Sequence, residues 1–244
     1  MKAFVIAEIG SNWEGDIKTA KKLIQKCKNA GADAVKFQMW RAEDLYSVKH
    51  PLWKFIKKSE LTVEKAKKIK EFCDSIKIEF FCSVFFPEGV EFLEQLKVKR
   101  YKIASRTCLF KDPFSLETMR SIALTKKPII ISMGMGGKKS RISTILKHNK
   151  TTFCYCISKY PTDFTEINWR NALRYEGFSD HTMSNAASIL FVAFKKQQHT
   201  KNIYIEKHVK LENSRGPDAQ TSITTEQFSE LISQIRVIEK TCFS

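Results

Sequence analysis

Long apolar runs are absent from this 244-residue sequence, and none approaches the roughly 18 residues needed to cross a bilayer. The first apolar stretch meets an acidic residue at Glu8, too early for a signal peptide. Only 9 Gly and 6 Pro occur, and 43% of the residues are hydrophobic, which excludes disordered and collagen-like chains. These absences predict a globular, cytoplasmic protein without a membrane partner.

Paired cysteine motifs are also lacking. The seven cysteines include no C-x-x-C pair, and Cys82, Cys154 and Cys156 lie within apolar runs. Buried, reduced thiols have this distribution, whereas disulfide frameworks and cysteine zinc sites do not. We predict neither a disulfide nor a zinc site.

Acidic residues are few: 26 Asp and Glu stand against 42 Lys and Arg, a net charge of +16. Such a surplus fits either nucleic-acid binding or a lysine-rich surface around a site for an anionic substrate. The lysines of residues 18–28 fall on outer helix faces, without interleaved aromatic residues or a basic tail. This placement favours the lysine-rich surface over nucleic-acid binding, so nucleic acid is not the partner we expect.

Short apolar segments alternate with helical patterns along the whole chain, which predicts parallel strands joined by helices. Eight strand-then-helix units, about 28 residues each, match a (β/α)8 TIM barrel of about 250 residues. We predict one barrel domain over residues 1–244, with a doubly wound open sheet as the less favoured alternative. The predicted strands are 4–9, 34–37, 79–83, 100–103, 128–132, 152–156, 177–179 and 203–206.

Polar residues recur where the predicted strands end, the position of active sites in such barrels. Because side chains alternate along a strand, residues two apart point to the same side. Three such pairs are predicted to converge at the mouth of the barrel: Lys36 with Gln38, Ser179 with His181, and Glu206 with His208.

His181 and His208 end neighbouring strands and could supply two imidazoles to one divalent metal, leaving positions for water and substrate oxygens. Asp180 and Glu206 are adjacent acceptors that could orient the two rings. A single histidine in an apolar context is more often structural, but two at adjacent strand ends favour a metal.

Lys36 and Lys102 each end an apolar strand, and a buried lysine requires an anionic partner. A phosphate or carboxylate substrate supplies that anion, assisted by hydroxyls at Ser83, Ser105, Ser132 and Ser179. Two alternatives remain open. The lysines could form ion pairs with Glu8 or Glu14, or Lys36 could form a Schiff base with a carbonyl substrate.

Together these segments resemble the N-acetylneuraminate (sialic acid) synthase family, in the family's order and over nearly the whole chain. The blocks that carry the resemblance are residues 7–15, 35–38, 101–105, 131–135, 159–162, 177–182, 206–208 and 216–218.

The resemblance implies a TIM barrel that condenses phosphoenolpyruvate with N-acetylmannosamine or a related N-acyl amino sugar. The implied products are phosphate and a nine-carbon 2-keto acid of the sialic, legionaminic or pseudaminic acid type. It also implies a divalent cofactor, Mn²⁺ first and Mg²⁺ or Co²⁺ as alternatives, and a homodimer.

Carried over by position, the resemblance places the metal on His181 and His208. We predict catalytic roles for Glu14, Lys36, Lys102 and Glu206, the last as a base or as a group that orients a metal ligand. The implied substrate-binding residues are Gln38, Ser83, Ser105, Ser132, Ser158, Tyr160, Ser179 and Asp218.

The sequence departs from the family's pattern at several positions. Thr107 stands where a carboxylate is usual, Ser158 where Asn is usual, and Trp13 where His is usual. The sequence also ends after the barrel, where typical members continue into a C-terminal antifreeze-like domain. These departures leave an alternative function: a degenerate barrel that binds a phosphorylated ligand or a partner without turnover.

Overall fold

The structure, a computed structural model, describes residues 2–241. Eight parallel strands form a closed ring, because β1 pairs with both β2 and β8. A short ninth strand pairs in parallel with the last residues of β8. The strands are β1 (Lys2–Glu8), β2 (Ala34–Met39), β3 (Glu79–Val84), β4 (Tyr101–Ile103), β5 (Ile129–Ser132), β6 (Thr151–Tyr155), β7 (Gly177–Asp180), β8 (Asn202–Lys210) and β9 (Ile223–Thr224).

Over residues 2–241, ten α-helices accompany the strands. They are α1 (Ile17–Asn29), α2 (Ala42–Leu45), α3 (Trp53–Ser59), α4 (Val63–Ser75), α5 (Pro87–Gln95), α6 (Ser115–Leu124), α7 (Lys139–Ile145), α8 (Trp169–Ala172), α9 (Ala186–Gln197) and α10 (Thr225–Lys240). Within the described chain, no helix is both long and apolar enough to span a membrane.

The first helix illustrates how the sequence specifies these elements. The Asp16 side chain accepts a hydrogen bond from the Thr19 backbone N–H and so caps a free donor at the start of α1. Ala20, Leu23, Ile24 and Cys27 recur at helical spacing and are buried. The helix therefore presents one apolar stripe to the strands and its lysines to solvent.

Inside the barrel, below its mouth, lies an apolar cluster of Ile6, Ala34, Phe81, Ile130 and Cys154. Two residues further along their strands come Glu8, Lys36, Ser83, Ser132 and Cys156, all of which line a cavity. Because strand side chains alternate, the same inward rows that close the barrel below become polar above.

The predicted (β/α)8 barrel is confirmed, and each predicted strand overlaps an observed one. The short helices α2 and α3 and the strand β9 were outside the sequence expectations. They lie in connections that pack against the barrel mouth rather than in the repeating pattern. All six cysteines of the described residues are free and buried, as predicted; Cys242 lies outside them.

Candidate active site

A cavity of about 460 Å³ opens at the carboxyl ends of the strands. Its lower part is formed by strand residues, and its outer part by the connections that follow them. The residues predicted for the site that line it are Lys36, Gln38, Ser83, Lys102, Ser105, Ser132, Ser158, Tyr160, Ser179, His181, Glu206, His208 and Asp218. The structure thus brings together all but one of the predicted site residues.

Lys36 and Glu8 form a buried ion pair across β1 and β2, where they occupy paired positions. Lys36 Nζ lies 2.5 Å from Glu8 Oε2 and donates to Ser83 Oγ at 3.0 Å. The Gln38 side chain donates to the other Glu8 oxygen at 2.7 Å. The ion-pair alternative considered for Lys36 therefore holds with Glu8 as its partner.

Lys102 and Glu206 form a second buried charge pair facing the first. Lys102 Nζ donates to Glu206 Oε1 at 3.2 Å and to Ser132 Oγ at 2.6 Å, and Ser179 Oγ donates to the same Glu206 oxygen at 2.8 Å. Burial opposes the charge of Lys102, but Glu206 and other nearby groups raise its pKa above the ordinary value. Burial likewise opposes ionisation of Glu206, yet Lys102 and Lys36 lower its pKa to about 2. Both groups are charged at neutral pH.

His181 and His208 lie side by side, with ring centroids 5.6 Å apart. His181 Nδ1 lies 2.7 Å from the Ile157 carbonyl oxygen. Because a carbonyl can only accept, Nδ1 carries the proton, and the lone pair of Nε2 is available to a ligand. Burial, and secondly His208, lowers the pKa of His181 to about 4. The ring is therefore neutral at pH 7, the form that binds metals.

His208 Nδ1 is buried and has no hydrogen-bond partner among residues 2–241. His181 Nε2 and His208 Nδ1 are thus two ring nitrogens that fit a divalent metal, as two of its ligands. No group of three or more His, Cys, Asp or Glu in the described chain has a metal-binding arrangement. An ion held here would complete its coordination with water and substrate oxygens, as catalytic sites do.

The outer part of the cavity is built from aromatic and polar side chains. The Tyr160 ring lies 4.4 Å from the His181 ring centroid, and burial raises the pKa of its hydroxyl. Asp218 Oδ2 accepts from the backbone N–H and the hydroxyl of Ser11, at 2.7 and 2.8 Å. Ser158 Oγ is buried and has no hydrogen-bond partner within the described part of the chain.

Glu14 is the predicted site residue that the structure does not bring to the cavity. Its Oε1 accepts from the Arg215 backbone N–H at 2.9 Å, and its side chain lines a separate surface depression with Thr19 and Lys22. Glu14 follows the end of β1 in a turn, at φ 56°, so the strand alternation that aligns Glu8 does not govern its direction. A catalytic role for Glu14 stays a prediction without support from this geometry.

Asp180 does not orient His181, contrary to the sequence expectation. It is the neighbour of His181 along the chain and points to the opposite side, where it pairs with Lys207 at 2.9 Å. The group that orients the His181 ring is instead the Ile157 carbonyl, which accepts from Nδ1.

Sequence reasoning treated Glu8 only as an alternative ion-pair partner and gave Arg106 no role. Glu8 is fully buried and lines the cavity, and Arg106 lines its outer part with the guanidinium held by Asp112 at 2.7 Å. A buried acid at a strand end was the available signal for Glu8. For Arg106, which follows the strand, no such signal was present in the sequence.

Thr107 is buried outside the cavity lining, and its hydroxyl has no hydrogen-bond partner in the described residues.

The fold and cavity define an enzyme-type (β/α)8 barrel with its site at the carboxyl ends of the strands. A sequence model of the NeuB family matches residues 23–243. The chain therefore belongs to the NeuB family, and the predicted membership of the sialic acid synthase family is confirmed.

Three relatives illustrate the match. An uncharacterized protein of Methanocaldococcus jannaschii is 34% identical, with 97% of this chain and 71% of that protein covered. The N,N'-diacetyllegionaminic acid synthase of Campylobacter jejuni is 31% identical, with 98% of this chain and 77% of that protein covered. The sialic acid synthetase of Leptospira borgpetersenii superposes with a TM-score of 0.83 at 25% identity, covering 97% and 84%.

Proposed function

We propose that this enzyme condenses phosphoenolpyruvate with the open-chain aldehyde of an N-acyl amino sugar, such as N-acetylmannosamine. The observation that supports it is the convergence of Lys36 and Lys102, each with a serine hydroxyl, beside the His181 and His208 rings. Cations and hydroxyls suit a phosphate and a carboxylate on one small molecule. The family's named synthases support the same reaction class.

The reaction joins C3 of phosphoenolpyruvate to the sugar aldehyde carbon. Water then adds at C2, and the bond from C2 to the phosphate oxygen breaks, which releases phosphate and leaves a 2-keto acid. The atoms balance as phosphoenolpyruvate, aldehyde and water giving the keto acid and phosphate. No Schiff base is needed, and Lys36 acts as a cation that is paired with Glu8.

Lys36 and Lys102 bind the anionic groups and stabilise the negative charge that passes to the departing phosphate. Ser83 and Ser132 contact these ammonium groups and orient them. Tyr160 and Asp218 line the outer cavity, where they hold the sugar by its hydroxyls.

Glu206 Oε2 is buried and has no hydrogen-bond partner in the chain as described. Lys102 and Lys36 lower the pKa of Glu206 to about 2, too low for an effective base. When an anionic substrate takes over the two ammonium groups, the pKa of Glu206 rises. Glu206 then accepts a proton from the water that adds at C2.

His181 and His208 would hold a divalent cation, with Mn²⁺ preferred and Mg²⁺ or Co²⁺ as alternatives. Such an ion, when bound, supplies Lewis-acid polarisation of the aldehyde. The chain's own contribution is to hold His181 as the neutral Nδ1–H form, through the Ile157 carbonyl, next to the buried His208 ring. The homodimer implied by the family and a cytoplasmic location are part of the same proposal.

The test is phosphate release from phosphoenolpyruvate, with and without Mn²⁺, over a panel of N-acyl hexosamines and their 6-phosphates. Release should require both sugar and metal, and mass spectrometry should find the condensed nine-carbon acid. K102M should abolish release, whereas K201M at an exposed surface lysine should leave it unchanged.

Binding of phosphoenolpyruvate without release across the panel would contradict the proposal and favour a barrel that binds without turnover. Thr107 is the observation that keeps this second candidate, because a hydroxyl replaces the family's usual carboxylate there and is buried away from the cavity.

A further inference from the structure

Lys207 lies between Glu206 and His208 in β8, but its side chain points away from the cavity. It is fully buried, at 0% exposure. Its ammonium contacts four oxygens: the Thr182 carbonyl at 2.6 Å, the Thr182 hydroxyl at 3.2 Å, the Ser184 carbonyl at 2.9 Å and the Asp180 carboxylate at 2.9 Å. These oxygens belong to the last residue of β7 and to the turn that follows it.

Asp180 fixes the same turn from its other side. Its Oδ1 accepts from the Thr182 backbone N–H at 2.8 Å, and its Oδ2 accepts from Ser188 Oγ at 2.6 Å. His181 is the residue between Asp180 and Thr182. Both chain neighbours of this histidine are therefore held by one buried network, and its own carbonyl accepts from the Thr162 backbone N–H at 3.0 Å.

The network joins the two histidines through the backbone. Lys207 precedes His208 in the chain, and its ammonium donates to Thr182, the residue that follows His181. The strand pairing of Asp180 with Lys207 sets the same register. Any change in the distance between β8 and the turn after β7 would move one ring relative to the other.

We propose that the Lys207–Asp180 pair is a positioning device that holds His181 and His208 at the separation needed to share one divalent cation. Lys207 and Asp180 touch neither the cavity nor the rings; they act through the backbone on either side of each histidine. The inference rests on the metal-binding part of the proposed function. Residues that orient metal ligands in this way change metal affinity by about 10- to 100-fold when removed.

A purely structural ion pair would stabilise the fold without affecting the metal, and Lys195 provides the matched control. Lys195 is another buried lysine, 6% exposed, that donates to the Leu173 carbonyl at 3.0 Å and to Gln198 Oε1 at 3.3 Å. It lies on α9, outside the turn and the cavity lining. K195M removes a buried ammonium without altering either histidine's neighbours.

The experiment measures Mn²⁺ affinity of the purified full chain by electron paramagnetic resonance, alongside the thermal unfolding midpoint. We expect K207M to weaken Mn²⁺ binding by about 10-fold or more, while K195M retains wild-type affinity even where its midpoint falls equally. Because K207M leaves a buried unpaired carboxylate, K207M/D180N is measured in parallel and keeps the test available if the single variant does not fold.

Mn²⁺ affinity within about 2-fold of wild type in the folded double variant, or an equal loss in K195M, would overturn the positioning role. Wild-type protein that does not bind Mn²⁺, or whose binding survives in H181A, would overturn it too. Wild-type protein that binds Mn²⁺ through these histidines but releases no phosphate contradicts only the proposed reaction. The two failures are therefore distinguishable.

Discussion

Gly10 is a residue whose missing side chain shapes the site. Its φ is +51°, and a Cβ there would lie 2.3 Å from Asp218 Oδ2 and 3.5 Å from His208 Cε1. Glycine at this position allows the backbone after β1 to approach Asp218, which Ser11 then holds by two hydrogen bonds. The outer cavity depends on this close approach.

G10A should lower the free energy of unfolding by more than about 1 kcal/mol, because it combines backbone strain with a steric clash. It should also raise the KM of the sugar, since Asp218 must move. Urea unfolding measures the first effect and steady-state kinetics the second. G136A is the control: Gly136 has φ +79° and nothing within 4 Å of its Cβ position, so it shares the strain without the clash. If G10A and G136A lose the same free energy of unfolding, the steric clash with Asp218 does not contribute, and the prediction is wrong.

At the residue scale, the sequence predicted the positions that obey strand alternation. His181 and His208 were expected together and lie together, as do Lys36 and Lys102 with their serines. Glu14 lay beyond the strand, where the turn direction depends on contacts from residues about 200 positions away, such as Arg215. No local pattern could reveal that contact.

Among the ten described helices, α1, α4, α8 and α10 start at a capping side chain, and each cap can be tested individually. The Asp16 carboxylate accepts from the Thr19 backbone N–H and hydroxyl, both at 2.8 Å. The backbone hydrogen bond to Thr19 is the main cause that lowers the pKa of Asp16. The carboxylate thus favours the folded state in its ionised form.

D16A should reduce the free energy of unfolding by about 1 kcal/mol, whereas D16N, which keeps an acceptor oxygen, should lose less. Because the folded pKa of Asp16 lies below the unfolded value, its stabilisation is complete above the unfolded pKa and declines as the pH falls through the folded one. The gap between wild type and D16A should therefore narrow in acid. A gap that stays constant down to pH 2 in denaturant titrations would contradict the assignment.

At the element scale, the alternation of short apolar segments with helical patterns was sufficient to predict the eight strands of the ring and a helical connection after each. The four-residue helix α2 and the two-residue strand β9 were not predictable, because elements of that length are stabilised by what they pack against. Ala42 of α2, for example, is fully buried beside Trp40 and Ile56. Such contacts exist only after the barrel has formed.

For the whole molecule, the charge of +16 opposes compaction through mutual repulsion. Raising NaCl from 20 to 200 mM should therefore increase the free energy of unfolding, by about 1 kcal/mol, as screening weakens that repulsion. A variant with glutamates at two exposed lysines, K147E/K201E, should show a smaller rise. Stability that falls with salt in the wild-type protein would mean that its surface ion pairs outweigh the repulsion.

The lining of the cavity does not carry the excess of positive charge that the whole chain has. Counting the histidines as neutral, its lining carries three cations, Lys36, Lys102 and Arg106, and three carboxylates, Glu8, Glu206 and Asp218. The formal charges of the lining therefore cancel. If phosphoenolpyruvate binds there as proposed, it adds negative charge to a neutral lining, so its binding is strengthened by the uptake of counter-charge, as protons or a divalent cation. Substrate affinity and cation affinity are then two measurements of a single linked equilibrium.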